Sequence, residues 1–283
     1  MKLVRIRFQD QIHWAQLDGE TCRPLETNSA VVGSSACPVP SLDIISKGSV
    51  GQTISLSDVQ ILAPVVGMEK IICIGTNYAE HAREMGGEPP TIPVVFSKFP
   101  SAIIGPGDPV VHPAICTKLD FEAELVVVIG KDGRHIAREN AWDHVLGYCS
   151  GNDISARDWQ KEKPGGQWLL GKTFDTFAPL GPMIVTRDEI PDPHQLPIQF
   201  RLNGEVMQDS NTDQLIFSID FLISHLSQFF TLKRGDLIFT GTPPGVGAGR
   251  KPPIWLKPGD LMEVEIADLG VLRNPVVSSK DSR

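Results

Sequence analysis

Residues 119–130 read Leu-Asp-Phe-Glu-Ala-Glu-Leu-Val-Val-Val-Ile-Gly. The second half is a near-continuous apolar run closed by Gly130, the pattern of a strand buried on both faces of a sheet. The two-residue period of a strand puts Glu122 and Glu124 on one face, with Ala123 and Leu125 on the other. Two carboxylates side by side at the start of a buried strand repel each other. Either one keeps a proton at neutral pH or a cation sits between them. The plainer alternative is a charged strand edge facing solvent.

Outward from this strand, short β-prone runs recur between turn signals: 70–75, 93–98, 109–111, 181–186, 197–204, 236–241 and 260–266. One segment breaks the pattern. Leu215, Ile216, Ile219, Leu222, Ile223, Leu226 and Phe230 follow helical spacing, which predicts an amphipathic helix over 214–230 lying on a sheet. Two matching turns, Lys233-Arg234-Gly235-Asp236-Leu237 and Lys257-Pro258-Gly259-Asp260-Leu261, each open a strand. The first ~60 residues read as a smaller β-rich unit. It has a strand around Leu3–Phe8, a second over 11–20 with a turn at Asp18-Gly19, a Ser/Gly/Pro-rich stretch over 32–40 and a short helix around Leu42–Ser46. The expected division is 1–62 and 63–283. Many strands and one main helix predict a mixed, β-rich α+β protein built as a sandwich or roll.

Composition narrows the function. The chain has 283 residues, and its 26 basic against 34 acidic residues give a net charge of −8, with no Lys/Arg block; this argues against nucleic acid. No apolar run reaches the ~18 residues of a membrane span, and the first residues turn polar too early for a signal peptide. Cys22, Cys37, Cys73, Cys116 and Cys149 are scattered and odd in number, which predicts reduced thiols in a cytoplasmic or mature organellar compartment.

A third acid, Asp153, stands where a strand gives way to a loop in Gly-Asn-Asp-Ile-Ser-Ala-Arg-Asp (151–158). Three carboxylates without His or Cys make an all-oxygen set that selects Mg²⁺ or Mn²⁺ over zinc. Lys172 lies among apolar and aromatic residues in 168–177, so it is either a paired buried cation or a snorkelling surface one. His81 and Glu84 are one helical turn apart. A carboxylate beside an imidazole fixes its tautomer and makes a general base, although an isolated H-x-x-E is more often a surface contact. The following Gly-Gly-Glu-Pro-Pro (86–90) would let that helix act as a lid. The Gly-rich stretch 240–247 lacks the features of a P-loop or a dinucleotide fold; its N–H groups and Thr242 would suit a carboxylate. There is no G-x-S-x-G elbow.

Together these segments resemble the fumarylacetoacetate hydrolase family over about residues 65–277. In order, they are IGTNYAEHAREM (74–85), VVFSKFPSAIIGPGDPV (94–110), LDFEAELVVVIGK (119–131), GNDISARDWQ (151–160), QWLLGKTFDTFAPLGP (167–182), LNGEVMQDSNTDQLIF (202–217) and GDLIFTGTPPGVG (235–247). The resemblance implies a β-sandwich roll, usually a homodimer, with Glu122, Glu124 and Asp153 as Mg²⁺ or Mn²⁺ ligands. It also implies Lys172, His81 and Glu84 as catalytic residues, and Lys98, Arg157, Gln160 and Thr242 as substrate-binding ones. One departure stands out: many family hydrolases read G-R-N before the dyad, whereas this chain has Gly75-Thr76-Asn77, without the cation.

The implied chemistry is chelation of a 2-oxo acid through its carboxylate and keto oxygens, which stabilises an enolate. Keto–enol tautomerisation of oxaloacetate is the first expectation. Decarboxylation of oxaloacetate and C–C hydrolysis of acylpyruvates or fumarylacetoacetate-like substrates share the same enolate. A non-catalytic, metal-stabilised binding protein is the reading from a different class. It would show Mg²⁺-dependent stability and no turnover.

Overall fold

The computed structural model describes residues 1–25, 39–48, 51–163 and 165–280. Two sheets dominate. In the larger one, the path runs through strands Lys2–Phe8, Ala178–Thr186, Val145–Asn152, Ala123–Ile129, Leu237–Phe239, Ile71–Gly75 and Val94–Lys98. A five-stranded sheet (Glu205–Asn211, Pro197–Leu202, Leu261–Ile266, Gly270–Ser278 and Val110–His112) packs on its centre. The result is the β-rich sandwich roll expected from the sequence, and the Ala123–Ile129 strand lies at its heart.

Its side chains explain the unbroken apolar run. Leu125, Val127 and Ile129 enter one core with Ile198, Phe200, Val264 and Leu272 from the smaller sheet. Val126 and Val128 enter a second core with Cys149, Ile184 and Phe239. A strand with cores on both faces has no use for alternation. Phe121 stacks on Phe200 with ring centroids 4.1 Å apart, fastening the start of this strand to the smaller sheet.

The pairing of the central strands positions everything that follows. Ala123–Ile129 runs antiparallel to Val145–Asn152, with Ala123 opposite Asn152, so the end carrying Glu122 meets the end leading to Asp153. On its other side Val126 pairs with Phe239, which brings Thr240–Thr242 alongside Glu124. The Ile71–Gly75 strand runs parallel to Leu237–Phe239 and delivers Thr76 and Asn77 to the same end. Four strand ends therefore converge.

The N-terminal strands Lys2–Phe8, Gln11–Asp18, Thr21–Pro24, Ile54–Ser55 and Gln60–Leu62 pair among themselves. They join the large sheet through Lys2↔Val185 and Leu3↔Ile184. The short helix is Leu42–Lys47, capped by Ser41. Most of the Ser/Gly/Pro-rich stretch, with Cys37, lies outside the described residues. The other four cysteines are buried free thiols. Among the described residues no helix is long and apolar enough to cross a membrane.

The two matched turns are equivalent in structure. Asp236 accepts from Lys233 N at 2.8 Å and Asp260 from Lys257 N at 2.9 Å. Gly235 and Gly259 take φ of 90° and 96°, a region that only glycine enters freely.

The main helix is shorter than its periodicity predicts: it spans Ile219–Phe229 rather than 214–230. Asn77 is the reason. Its main-chain O accepts from Ile216 N at 2.8 Å, and its Oδ1 accepts from Phe217 N at 2.7 Å. Those N–H groups are already bonded, so a short 3-10 turn at Thr212–Gln214 is followed by a bend at 216–217, and the helix begins after Ser218.

Candidate active site and metal centre

Glu122, Glu124 and Asp153 are buried, and one oxygen from each lies within 4.8 Å of the others. The solvent-edge alternative for this pair of glutamates is thereby excluded. Asp153 is brought in by the antiparallel pairing, and its N–H donates to Glu122 O at 2.8 Å.

Three cations surround these acids. Lys172 is almost fully buried and donates to Glu122 Oε2 at 2.6 Å and to Asp153 Oδ2 at 2.8 Å, so it is the paired buried lysine rather than a snorkelling one. Arg157 donates through Nη2 to Glu122 Oε1 at 2.6 Å and through Nε to Asp120 Oδ2 at 2.8 Å. Its Nη1 holds Gln160 Oε1 at 2.9 Å. Lys98 lies 2.7 Å from Asp153 Oδ1.

The two glutamates sit in opposite electrostatic settings. Burial alone would raise the Glu122 carboxyl, but Arg157 and Lys172 override it and hold the group well below the usual carboxylate range. Among the described residues Glu124 accepts one hydrogen bond, from Gly241 N at 2.8 Å. Burial, and then the charges of Asp153 and Glu122, push it well above that range. Glu124 is thus the acid most in need of a positive partner. An all-carboxylate cluster with one under-neutralised member suits a hard divalent cation, and these residues fit such an ion.

The cluster opens into a cavity of about 180 Å³ whose walls include Ile74, Thr76, His81, Phe96, Trp168 and Thr242. This is small beside the about 300–1,000 Å³ of ordinary ligand pockets. Glu122, Glu124, Arg157, Gln160 and Lys172 all reach it. Thr76 takes φ of 52°, a strained conformation for a β-branched residue of the kind that collects at functional sites.

His81 lines the cavity from the short helix Ala79–Glu84. Its Nδ1 lies 3.2 Å from Glu84 Oε2. A carboxylate only accepts, so Nδ1 carries the proton and Nε2 is left basic. Glu84 is held in turn by Gly245 N at 2.9 Å. The spacing of the dyad was legible in the sequence. The glycine that anchors it was not.

Two expectations need correction. Lys98 is not a wall of the cavity. It stands behind Asp153, with its ammonium donating to Ile154 O at 3.0 Å, to Phe177 O at 2.8 Å and to Lys172 O. The Gly-rich loop does cradle carboxylates, but they are the protein's own. Gly241 N holds Glu124, Gly245 N holds Glu84, and Gly247 N and Ala248 N hold Asp120 at 2.7 and 3.1 Å. Gly245 has φ of 106°, and a Cβ there would fall 2.2 Å from Met207 O, so only glycine fits. Thr242 reaches the cavity, but its hydroxyl donates to Ala123 O at 2.8 Å and accepts from Gln208 Nε2 at 2.8 Å.

The sequence reading missed Asp120, Asn77, Gln208 and Lys161. Asp120 had a signal, since it continues the same-face series of Glu122 and Glu124 two residues earlier. Gln208 grips Ala123 N at 2.9 Å from a strand of the other sheet, and nothing local announces that.

Comparison with known proteins accords with this geometry. A family described as fumarylacetoacetate (FAA) hydrolase C-terminal matches residues 70–277, and one described as Rv2993c-like, N-terminal matches residues 1–64. Oxaloacetate tautomerase fahd2, mitochondrial, of Xenopus laevis is 54% identical over 224 residues, covering 79% of this chain and 70% of that protein. Oxaloacetate tautomerase FAHD2A, mitochondrial, of Homo sapiens is 53% identical over 221 residues, covering 78% and 70%. Among solved structures, fumarylacetoacetate hydrolase (EaFAH) from psychrophilic Exiguobacterium antarcticum superposes with a TM-score of 0.84 at 35% identity, covering 98% of this chain and 99% of that one. The 2-hydroxyhepta-2,4-diene-1,7-dioate isomerase from Mycobacterium marinum gives 0.81 at 35% identity, with 99% of each chain covered. With this match over most of its length, and with carboxylates, lysine and dyad gathered at one end of its central sheet, the chain belongs to the fumarylacetoacetate hydrolase family.

Proposed function

We propose that this protein is an enzyme that interconverts the keto and enol forms of oxaloacetate or a closely related 2-oxo acid. The observation that carries this reading is His81, held by Glu84, which lines the same small cavity as Glu122, Glu124 and Lys172 of the buried carboxylate cluster. The names of the relatives at 53–54% identity support the choice of oxaloacetate.

In this reading Glu122, Glu124 and Asp153 hold Mg²⁺ or Mn²⁺, which when bound supplies a Lewis-acid charge beside the developing enolate oxygen. Lys172 adds a fixed positive charge on the same side of the cavity. Arg157, engaged on three sides, sets the position of Glu122 and turns Gln160, whose amide N–H₂ is left to meet the substrate carboxylate. His81 Nε2 moves the proton at the carbon next to the keto group, and Glu84 keeps the imidazole in the tautomer that can do so. Lys98 fixes Asp153 from behind.

The test is the decay of enol-oxaloacetate followed by ultraviolet absorbance, with Mg²⁺ and with EDTA, and with pyruvate measured on the same sample. Metal-dependent enol loss without pyruvate is the expected result. Pyruvate appearing in step with substrate loss would replace the reading with decarboxylation. No metal-dependent change in either signal would overturn both and point to acylpyruvate cleavage.

We further propose that residues 1–62 form a separate small unit, as their mutual strand pairing suggests, with 63–283 as the catalytic part. A reducing compartment, cytoplasmic or the interior of an organelle, suits the buried free thiols. Homodimerisation has support in an open sheet edge. Strand Val94–Lys98 ends the large sheet and exposes Val94 and Val95 beside Ile92, Phe99 and Leu170, an apolar edge of the kind that pairs with another chain. Val95→Asp should convert a dimer to monomer in light scattering. A wild type that is already monomeric would remove the proposal.

A further inference from the structure

The rim of the cavity carries one solvent-exposed cation that pairs with no carboxylate among the described residues. Lys161 forms part of its wall, and among the described residues it makes neither an ion pair nor a hydrogen bond. The adjacent charges turn elsewhere: Glu162 pairs with Lys118, and Lys163 lies over the Trp159 ring, 5.4 Å from its centroid. Although the side chain is exposed, partial desolvation at the wall and then the Arg157 charge, offset in part by Glu122 and Asp120, hold the Lys161 amine below the usual lysine range. At the rim, and bonded to no side chain among the described residues, this ammonium is free to meet an anion that enters the cavity.

The turn that carries it is fixed from both sides. Asp158 accepts from Thr117 N at 2.9 Å and Thr117 Oγ1 at 3.0 Å, pinning the π-helical turn Asp158–Glu162. Gly171 lets the Lys172 helix close on that turn, for a Cβ there would fall 2.5 Å from Gln160 N. A single wide turn of this type is a common functional device.

The charge balance says what anion fits. Asp120, Glu122, Glu124 and Asp153 face Lys98, Arg157 and Lys172, leaving the buried cluster one negative charge. A divalent cation turns this into one positive charge, which the single carboxylate of a 2-oxo acid neutralises. A second carboxylate then finds no counter-charge inside. Of the two charged residues left on the wall, Glu88 would repel it, whereas Lys161 would pair with it.

We propose that Lys161 binds the distal carboxylate of the substrate and so restricts the site to dicarboxylic 2-oxo acids. This rests on the function proposed above and deepens it, placing at position 161 the cation that Thr76 does not supply.

The test is calorimetric titration of the Mg²⁺-loaded protein with two acids that cannot enolise, the dicarboxylate 3,3-difluoro-oxaloacetate and the monocarboxylate trimethylpyruvate. Lys161→Met keeps the apolar stem and should weaken the dicarboxylate at least about tenfold while moving the monocarboxylate less than about threefold. Lys161→Arg should keep wild-type preference. If both acids bind the wild type and Lys161→Met changes neither, or both equally, the Lys161 assignment falls while the 2-oxo acid site stands. If neither acid binds the wild type, the site reading falls and takes the assignment with it.

Discussion

Glu124→Gln should melt above the wild type in EDTA at pH 7–8 and yet lose at least about 10³-fold in Mg²⁺-dependent tautomerase activity. The two effects have one cause. Burial and the neighbouring carboxylates raise the Glu124 pKa in the fold. A raised carboxylate contributes its stability below the unfolded value and loses it as pH climbs toward the folded one. At neutral pH the metal-free wild type therefore bears the cost of a carboxyl whose charged form the fold disfavours, a cost the neutral glutamine lacks. The gap in melting temperature should close as pH falls through the ordinary carboxylate range, where the Glu124 of the unfolded chain also takes up its proton. Added Mg²⁺ should stabilise the wild type by mass action and leave Glu124→Gln unmoved. Glu122 behaves in the opposite sense. Arg157 and Lys172 depress it, so its contribution is complete at neutral pH and fades only as pH drops toward the depressed value. A Glu124→Gln protein that keeps both its Mg²⁺-dependent melting shift and its turnover would end the metal-centre assignment.

Local pattern carried the central strand well. The run 125–129 could be apolar throughout only if both faces were buried, and Glu122 and Glu124 had to share a side. Asp153 was legible as an acid at a strand end; the antiparallel register with Asn152 opposite Ala123 turns that into a three-carboxylate cluster. The helix over 214–230 was misread at its start because periodicity reports which side chains are apolar, not which N–H groups are already taken. Asn77, nearly 140 residues earlier in the chain, takes two of them. Lys98 was misassigned for a similar reason. Family likeness carries over a residue type, whereas only packing reveals that its ammonium is enclosed by three carbonyls and a carboxylate.

The Gly-rich loop shows how the site is held together. Its amides grip Glu124 of the carboxylate cluster, Glu84 of the dyad and Asp120 beneath Arg157. Three acids from different parts of the chain are thus indexed to one rigid stretch. Such shared support is what keeps a catalytic constellation within the narrow tolerance that proton transfer requires.

His81→Asn should lower the enol-to-keto rate by about 10²–10⁴-fold while leaving the fold and the Mg²⁺-dependent melting shift intact. The imidazole supplies the proton movement, and its loss leaves Lys172 and the carboxylate cluster unchanged. Glu84→Gln should cost a comparable factor, because with its amide oxygen on Gly245 N its N–H₂ faces Nδ1, and a donor there moves the imidazole proton to Nε2 and removes the base. Glu84 is a positioning residue, so its variant should also shift the pH profile of the rate, which a purely structural role would not do. The same pair of variants separates the competing reactions. Loss of CO₂ from oxaloacetate formally needs no base, since the electrons left on carbon flow to the stabilised oxygen. If the wild type releases any pyruvate, His81→Asn should preserve that release while enol decay collapses. Enol decay at the wild-type rate in His81→Asn would remove the dyad from the mechanism and leave Lys172 as the remaining proton carrier in the cavity.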